Sequence, residues 1–195
     1  EQHSSARQRG VNAIEIAAEL INFLMQIQRE YEDRKVPGAE RFDPPYSTVQ
    51  VGLIEGGTAT NIVARCCSFH WEQRSLPGTD PDEAHQRLSR YVATEVLPRM
   101  RRIHPEADVE TILRGAVSAL TPEPGSPAEV LVKSLVGSNA TEAVSYATEA
   151  GVFQAAGMPV VVCGPGNIRE AHTPNEWIEL SQIAACENFM ARLIS

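Results

Sequence analysis

Residues 160–177, VVVCGPGNIREAHTPNEW, set a histidine between a glycine loop and a helix start. An apolar run that enters Gly164-Pro165-Gly166 predicts a buried strand delivering a loop at the carboxyl edge of a sheet, where open α/β folds take ligands. Glycines there let backbone N–H groups approach a bound group closely. Thr173, Pro174 and Glu176 have the pattern of a helix N-cap, first residue and reciprocal capping partner. His172 then stands just outside a rigid helix start with its imidazole free to face a cleft. Three more residues have suitable chemistry: His3 in HSS, Asn61 in a turn-rich link, and Arg74 on a strand beside Glu72. On spacing alone each also admits a plain structural role. His172 and His3 read equally as surface or packing residues, Asn61 as a residue that tolerates a left-handed turn, and Arg74 as a solvated partner of Glu72. His70, His85 and His104 have only such readings.

The elements that must position these residues follow from periodicity. Val11, Ile14, Ala17 or Ala18, Ile21 and Leu24 or Met25 recur at helical spacing and predict a long amphipathic helix ending near Arg34. Pro37-Gly38 and Pro44-Pro45 mark the loop that follows. Val49, Val51 and Leu53 alternate with polar or small residues, as do Cys67, Phe69 and Trp71, which predicts two strands joined by the turn chemistry of residues 56–61. Asp80, Pro81 and Glu83 suit the cap, first and third positions of a second helix, with Ala84, Leu88, Tyr91 or Val92, and Val96 on its apolar face. Pro98 is expected to kink or end it. DVETILRGAV reads as a further strand, LTPEPGSP as a linker, and the remainder as a helix (AEVLVKSLVG), a turn and helix (YATEAGVFQAAG), a buried strand Met158 to Cys163, and a helix from Pro174 to about Leu193.

Composition narrows the function classes. The chain has 195 residues, with 43% hydrophobic and 22% charged residues, the balance of a folded, soluble protein. A formal charge of −8 argues against a nucleic-acid partner, because such binding needs clustered cations. The basic group Arg99, Arg101 and Arg102 suits a helix end, where cations meet the negative pole of the dipole. Cys66, Cys67, Cys163 and Cys186 form no C-x-x-C pair, which suggests a reduced, cytoplasmic setting. No apolar run of about 18 residues predicts a membrane span. The chain starts at Glu1 rather than Met, and the expectation is that residue 1 is not the natural start.

Four segments carry a resemblance to a known family: EQHSSARQRGVNAI, GGTATNIVARCCSFHWEQRSLPG, YATEAGVFQAAGMPVVVCGPGNIREAHTPNEWI and SQIAACENFMARLI. Together, and in the right order, they resemble the acetylornithine deacetylase branch of the metal-dependent amidohydrolases, which includes succinyl-diaminopimelate desuccinylase, aminoacylase and carboxypeptidase G2. The fold this implies is α/β: a ferredoxin-like α+β dimerisation (lid) domain over residues 1–118, lacking its first strand, followed at 119–195 by a partial α/β catalytic domain. The implied activity is hydrolysis of a small N-acyl amino acid, foremost N2-acetyl-L-ornithine, by a homodimer. A desuccinylase or aminoacylase activity, or a non-catalytic pairing module, are the alternatives.

The resemblance also implies residue roles. His172 matches the last metal-ligating histidine of a two-zinc site that also accepts cobalt. His3 matches the histidine that reaches into the partner subunit's active site and polarises the scissile carbonyl or its oxyanion. Asn61 and Arg74 match substrate-binding residues, Arg74 for the substrate carboxylate. Thr148, Glu149 and Gly151 match a T-E-A-G loop, and Gly164 and Gly166 match glycines lining the pocket. Ala64 stands where such enzymes usually have Pro, and Ala147 where Gly is common. The H-x-D motif, the bridging aspartate, the Glu-Glu pair and the next acidic ligand precede the dimerisation domain in such enzymes, and residues 1–195 contain none of them. The implied consequence is that this chain binds no metal stably and is inactive alone.

Overall fold

Apolar side chains at 17, 20, 24, 27 and 31 recur every three or four residues, and helix α1 (Ala13–Asp33) buries all five. The computed structural model describes residues 3–171 and 173–195, and the chain divides into two units, Glu1–Ala116 and Val117–Ser195. Asn12 caps α1, its Oδ1 accepting from the Ile14 N–H at 3.1 Å. The buried stripe lies one step round from the expected one. Ile14 is 41% exposed, and Val11 and Ile21 are only partly buried.

Strands β1 (Thr48–Gly56) and β2 (Cys67–Arg74) form an antiparallel hairpin, pairing Val49 with Gln73, Val51 with Trp71 and Ile54 with Phe69. Val49, Val51, Phe69 and Trp71 face α1 and join its core. Leu53, expected on the same face, is turned to the opposite one, paired with His70 and 65% exposed. The cause is a bulge between Val51 and Leu53: one extra residue, Gly52, inverts the facing of everything after it.

The second helical segment runs as α2 (Glu83–Tyr91), a π turn (Val92–Val96) and α3 (Leu97–Ile103). Its buried residues, Ala84, Leu88, Val92, Val96 and Met100, are spaced by four throughout. In an ideal α-helix that stripe would wind away from the core, since four residues exceed one 3.6-residue turn. The wider π turn brings it back. Pro98 therefore neither ends nor breaks the segment. It sits in the first turn of α3, where its missing N–H is tolerated, and the Leu97 N–H already reaches Val92 O across the π turn. Asp80 caps one turn before the regular helix begins, its Oδ1 accepting from the Asp82 N–H at 2.8 Å, so the helix starts at Glu83 rather than Pro81. Gln73 ties this end to the sheet by accepting from the Ala84 N–H at 3.0 Å.

Two bidentate ion pairs join the helices: Arg34 to Glu83 at 2.6 and 2.7 Å, and Arg87 to Glu30 at 2.7 and 2.8 Å. Hydrogen bonding from Arg34 lowers the Glu83 pKa, and hydrogen bonding from Arg87 lowers that of Glu30. The Arg34 guanidinium also lies 5.0 Å above the Tyr31 ring. The Tyr31 hydroxyl is buried without a hydrogen-bond partner among the described residues, and burial pushes its pKa up to about 12.

The strand expected at 108–117 does not form. Extended backbone becomes a strand only with a ladder partner. In the predicted order its partner is the strand expected before residue 1, and β1 and β2 pair only with each other among the described residues. Ala107 and Val109 pack on the core, but Ile112 and Leu113 are 66% and 75% exposed.

The second unit holds α4 (Pro127–Val136), α5 (Ala150–Ala155) and α6 (Leu180–Leu193). The strand expected at 158–163 is likewise absent, with Met158 and Val162 47% and 43% exposed and no strand among the described residues of this unit to pair with. The last helix starts at Leu180 rather than Pro174. The Thr173 hydroxyl donates back to Glu170 O at 2.7 Å, and Asn175, at φ +60°, interrupts helical backbone.

Two substitutions separate packing from polarity in the α1 core. Leu24, fully buried, is expected to lose about 3 kcal/mol of stability as Leu24→Ala. Tyr31→Phe, which deletes only an unpartnered hydroxyl, is expected to be neutral or to stabilise by up to about 1 kcal/mol. Urea unfolding of both variants checks this, and a large loss in Tyr31→Phe would show that the hydroxyl has a partner.

Candidate functional site

His3 and Asn61, far apart in sequence, are brought side by side. The backbone of His3 forms an antiparallel bridge with Ile62, and the Ser4 N–H donates to Asn61 O at 2.9 Å. The link between β1 and β2 is shaped for this. Gly57 has φ +76° and donates its N–H to Cys66 O, and a side chain there would press on Ile14 at 2.9 Å. Val63 and Ala64 are buried, and Ala64 O accepts from the Ala13 N–H at 2.9 Å. Two apolar residues thus anchor the link while Asn61, just before them, stays exposed. His3 is exposed beside it, with its Nδ1 accepting from the Ser5 N–H at 3.2 Å and lying 2.8 Å from Ser5 Oγ. An exposed imidazole or carboxamide can each donate a hydrogen bond to a carbonyl oxygen as it gains negative charge.

Arg74 does not join them. It ends β2, whereas the turn bearing Asn61 leads into the start of that strand at Cys67. Seven steps of strand separate Cys67 from Arg74, roughly 23 Å at the usual rise. On the exposed face of the hairpin its guanidinium pairs with Glu72, Nε to Oε1 at 3.1 Å, both side chains half exposed. In this conformation it serves a neighbouring carboxylate and has the planar fork to take another.

In the second unit, Thr148 Oγ1 accepts from the Ala150 N–H at 3.1 Å, and Glu149 O accepts from Val152 and Phe153 as α5 begins. Gly151 is buried within α5 because there is room for nothing else: a Cβ would fall 1.9 Å from Ser118 O. Gly164 lies in open space, and Gly166, at φ +99°, donates its N–H to Gln182 Oε1 at 3.3 Å. The Thr148–Gly151 turn bonds into the start of α5, whereas Gly166 bonds to Gln182 of α6. His172 lies outside the described residues. Among the described residues no three His, Cys, Asp or Glu side chains gather where they could hold a metal ion. The four cysteines are free, and no described helix is long and apolar enough to cross a membrane.

Two residues organise these segments without having been singled out in the sequence. Ser5 is one, its only sequence signal being the local hydroxyl two residues after a histidine. Glu129 is the other, and S-P-A-E at 126–129 is a capping box that advertises it. Ser126 Oγ accepts from the Glu129 N–H at 3.3 Å. The Glu129 carboxylate accepts from Lys133 Nζ at 2.8 Å, from Thr141 Oγ1 at 3.1 Å and from the Gly125 N–H. These bonds, Lys133 first and the Gly125 amide next, hold its pKa at about 2 against an ordinary 4.5.

A carboxylate held that low stabilises the fold above its ordinary pKa and loses this contribution as pH falls through the folded value. Acid unfolding of residues 117–195 is therefore expected to set in between about pH 4.5 and about pH 2. Glu129→Gln should flatten that part of the profile, as followed by amide exchange at Gly125 and Thr141. An unchanged acid limb would remove Glu129 as its cause.

Residues 1–100 match the family described as peptidase dimerisation domain. The chain is also 33% identical over 197 aligned positions to an acetylornithine deacetylase of Edwardsiella ictaluri (strain 93-146), an alignment covering 98% of this chain and 48% of that protein. The chain thus spans about half the length of the curated relative it matches.

Proposed function

The chain belongs to the M20 family of peptidases, and from that membership we propose that it is part of an amide hydrolase that releases the acyl group of a small N-acyl amino acid. N2-acetyl-L-ornithine is the first substrate on this reading, with L-ornithine and acetate as products. The observation that carries it is the juxtaposition of the His3 and Asn61 segments: two motifs some sixty residues apart meet through a backbone bridge, and both residues are exposed there. The likeness to a named deacetylase over 98% of the chain supports the substrate. Residues 1–118 are the dimerisation domain on this reading, and residues 119–195 the last segment of the catalytic domain.

Hydrolysis adds water to the amide carbonyl, gathers negative charge on its oxygen, and breaks the C–N bond as the nitrogen takes up a proton. This chain's residues serve the charge and the position. His3 donates to the carbonyl oxygen in the partner subunit's active site, where the bond strengthens as charge develops. Asn61 holds the substrate beside it. Arg74 exchanges Glu72 for the substrate carboxylate, with which a guanidinium makes two parallel bonds. Thr148, Glu149, Gly151, Gly164 and Gly166 shape the pocket.

Two zinc ions, replaceable by cobalt, complete the reading, with His172 as the ligand from this chain; bound metal would polarise the amide and acidify water. A catalytic zinc takes about three protein ligands, and the described residues do not make up such a set. They do not fit a metal site by themselves, and on this reading the chain alone is inactive. Unpaired cysteines support a cytoplasmic setting. Neither a membrane nor a nucleic acid is a partner here; a second copy of the chain is.

Three measurements on the full-length polypeptide test this. His3→Ala is expected to spare metal content and slow turnover about a hundredfold to a thousandfold, whereas His172→Ala lowers metal content; equal metal loss in both would break the assignment. Faster turnover of N-succinyl-LL-diaminopimelate than of N2-acetyl-L-ornithine would replace the substrate. Light scattering is expected to give a dimer, and a strict monomer at micromolar concentration would remove the trans role of His3.

A further inference from the structure

Building on the reading of His3 as the group that polarises the scissile carbonyl, we propose that Ser5 is a positioning residue that keeps the His3 proton on Nε2. The main-chain N–H of Ser5 is directed at His3 Nδ1 at 3.2 Å, and Ser5 Oγ lies 2.8 Å from the same nitrogen. A backbone amide can only donate, so Nδ1 must offer its lone pair, and the neutral ring carries its single proton on Nε2. The Ser5 hydroxyl then donates to Nδ1 as well. The opposite tautomer would set Nδ1–H against the Ser5 N–H, donor against donor.

The frame behind this contact is held from the other side. His3 is bridged to Ile62, the Ser4 N–H is spent on Asn61 O, and the Ala6 N–H returns to His3 O at 2.8 Å. The backbone at and after His3 is thus tied down, and the side chain turns in on Ser5 through Nδ1. Nε2–H, on the far side of an exposed ring, is left to donate outward. A neutral N–H aimed in advance is the donor that a developing oxyanion needs, and it acts without transferring its proton.

The tautomer can be read without catalysis. Two-bond 1H–15N spectra of the histidine-labelled chain at about pH 8.5, where imidazole is neutral, are assigned to His3 with His3→Gln. The expected result is a protonated Nε2 and an unprotonated Nδ1, and a His3 ring protonated on Nδ1 overturns the proposal. Ser5→Ala deletes one of the two donors and is expected to raise the Nδ1–H fraction. In the full-length protein it should cut turnover of N2-acetyl-L-ornithine about three- to tenfold with KM unchanged. Ser5→Thr, which keeps the hydroxyl, should restore both. A Ser5→Ala protein with unaltered tautomer and turnover overturns the role of Ser5. A ring protonated on Nε2 together with turnover indifferent to His3→Gln supports the positioning by Ser5 and sinks instead the carbonyl-polarising role of His3.

Discussion

The first unit hangs on the apolar stripe of α1. Leu20, Leu24, Ile27 and Tyr31 are the common surface against which the β1–β2 hairpin and the α2–α3 segment pack, in one cluster with Val49, Ala84, Leu88, Val92, Val96 and Met100. The stripe also decides what its partners must look like. The buried positions of the second helical segment are spaced by four throughout, and the π turn at Val92–Val96 keeps that stripe against α1 where an unbroken α-helix would wind it away. The ion pairs Arg34–Glu83 and Arg87–Glu30 add direction at the rim of this contact rather than much energy, since their side chains remain partly exposed.

The same helix sets the rim where His3 and Asn61 meet. Ala13 is its first residue, and the Ala13 N–H, one of the donors a helix start leaves without an internal partner, is taken by Ala64 O. The link between the strands is thereby fastened to the helix start, with Val63 and Ala64 inside and Asn61 outside. The residues before α1 continue the pairing at His3 and Ile62. Placement of these two backbone segments thus follows from core packing through backbone hydrogen bonds. The second unit is held differently. Glu129 gathers the Gly125 turn, α4 and Thr141 through one carboxylate, and Arg192 of α6 closes on the carbonyls of Ser134 and Leu135. The unit still exposes apolar residues such as Trp177 at 56% and Leu180 at 80%.

Much of the local structure was legible because it depends on neighbours in sequence. The long helix, both hairpin strands, the second helix and the helices at 127–136 and 150–155 stand where periodicity and punctuation put them. What failed did so for reasons outside any one segment. The stretches at 108–117 and 158–163 have strand-like composition, but a strand needs a ladder partner, and none stands beside them among the described residues. Leu53 was misplaced because a bulge at Gly52 reverses facing without altering the alternation visible in the letters. The start at Pro174 failed because Thr173 spends its hydroxyl on Glu170.

The sequence by itself determined the residue types available for chemistry, the helix and hairpin periods, and, through four ordered motifs, the family. These are properties of short stretches, set by side-chain identity and backbone preference. Only the tertiary structure decided which of the distant segments meet, His3 with Asn61, whereas the pairing of Arg74 with Glu72 at the other end of a strand is the local one its spacing already offered. Adjacency of that kind depends on packing angles, a one-residue bulge and a π turn, each the outcome of long-range burial rather than of the residues beside it.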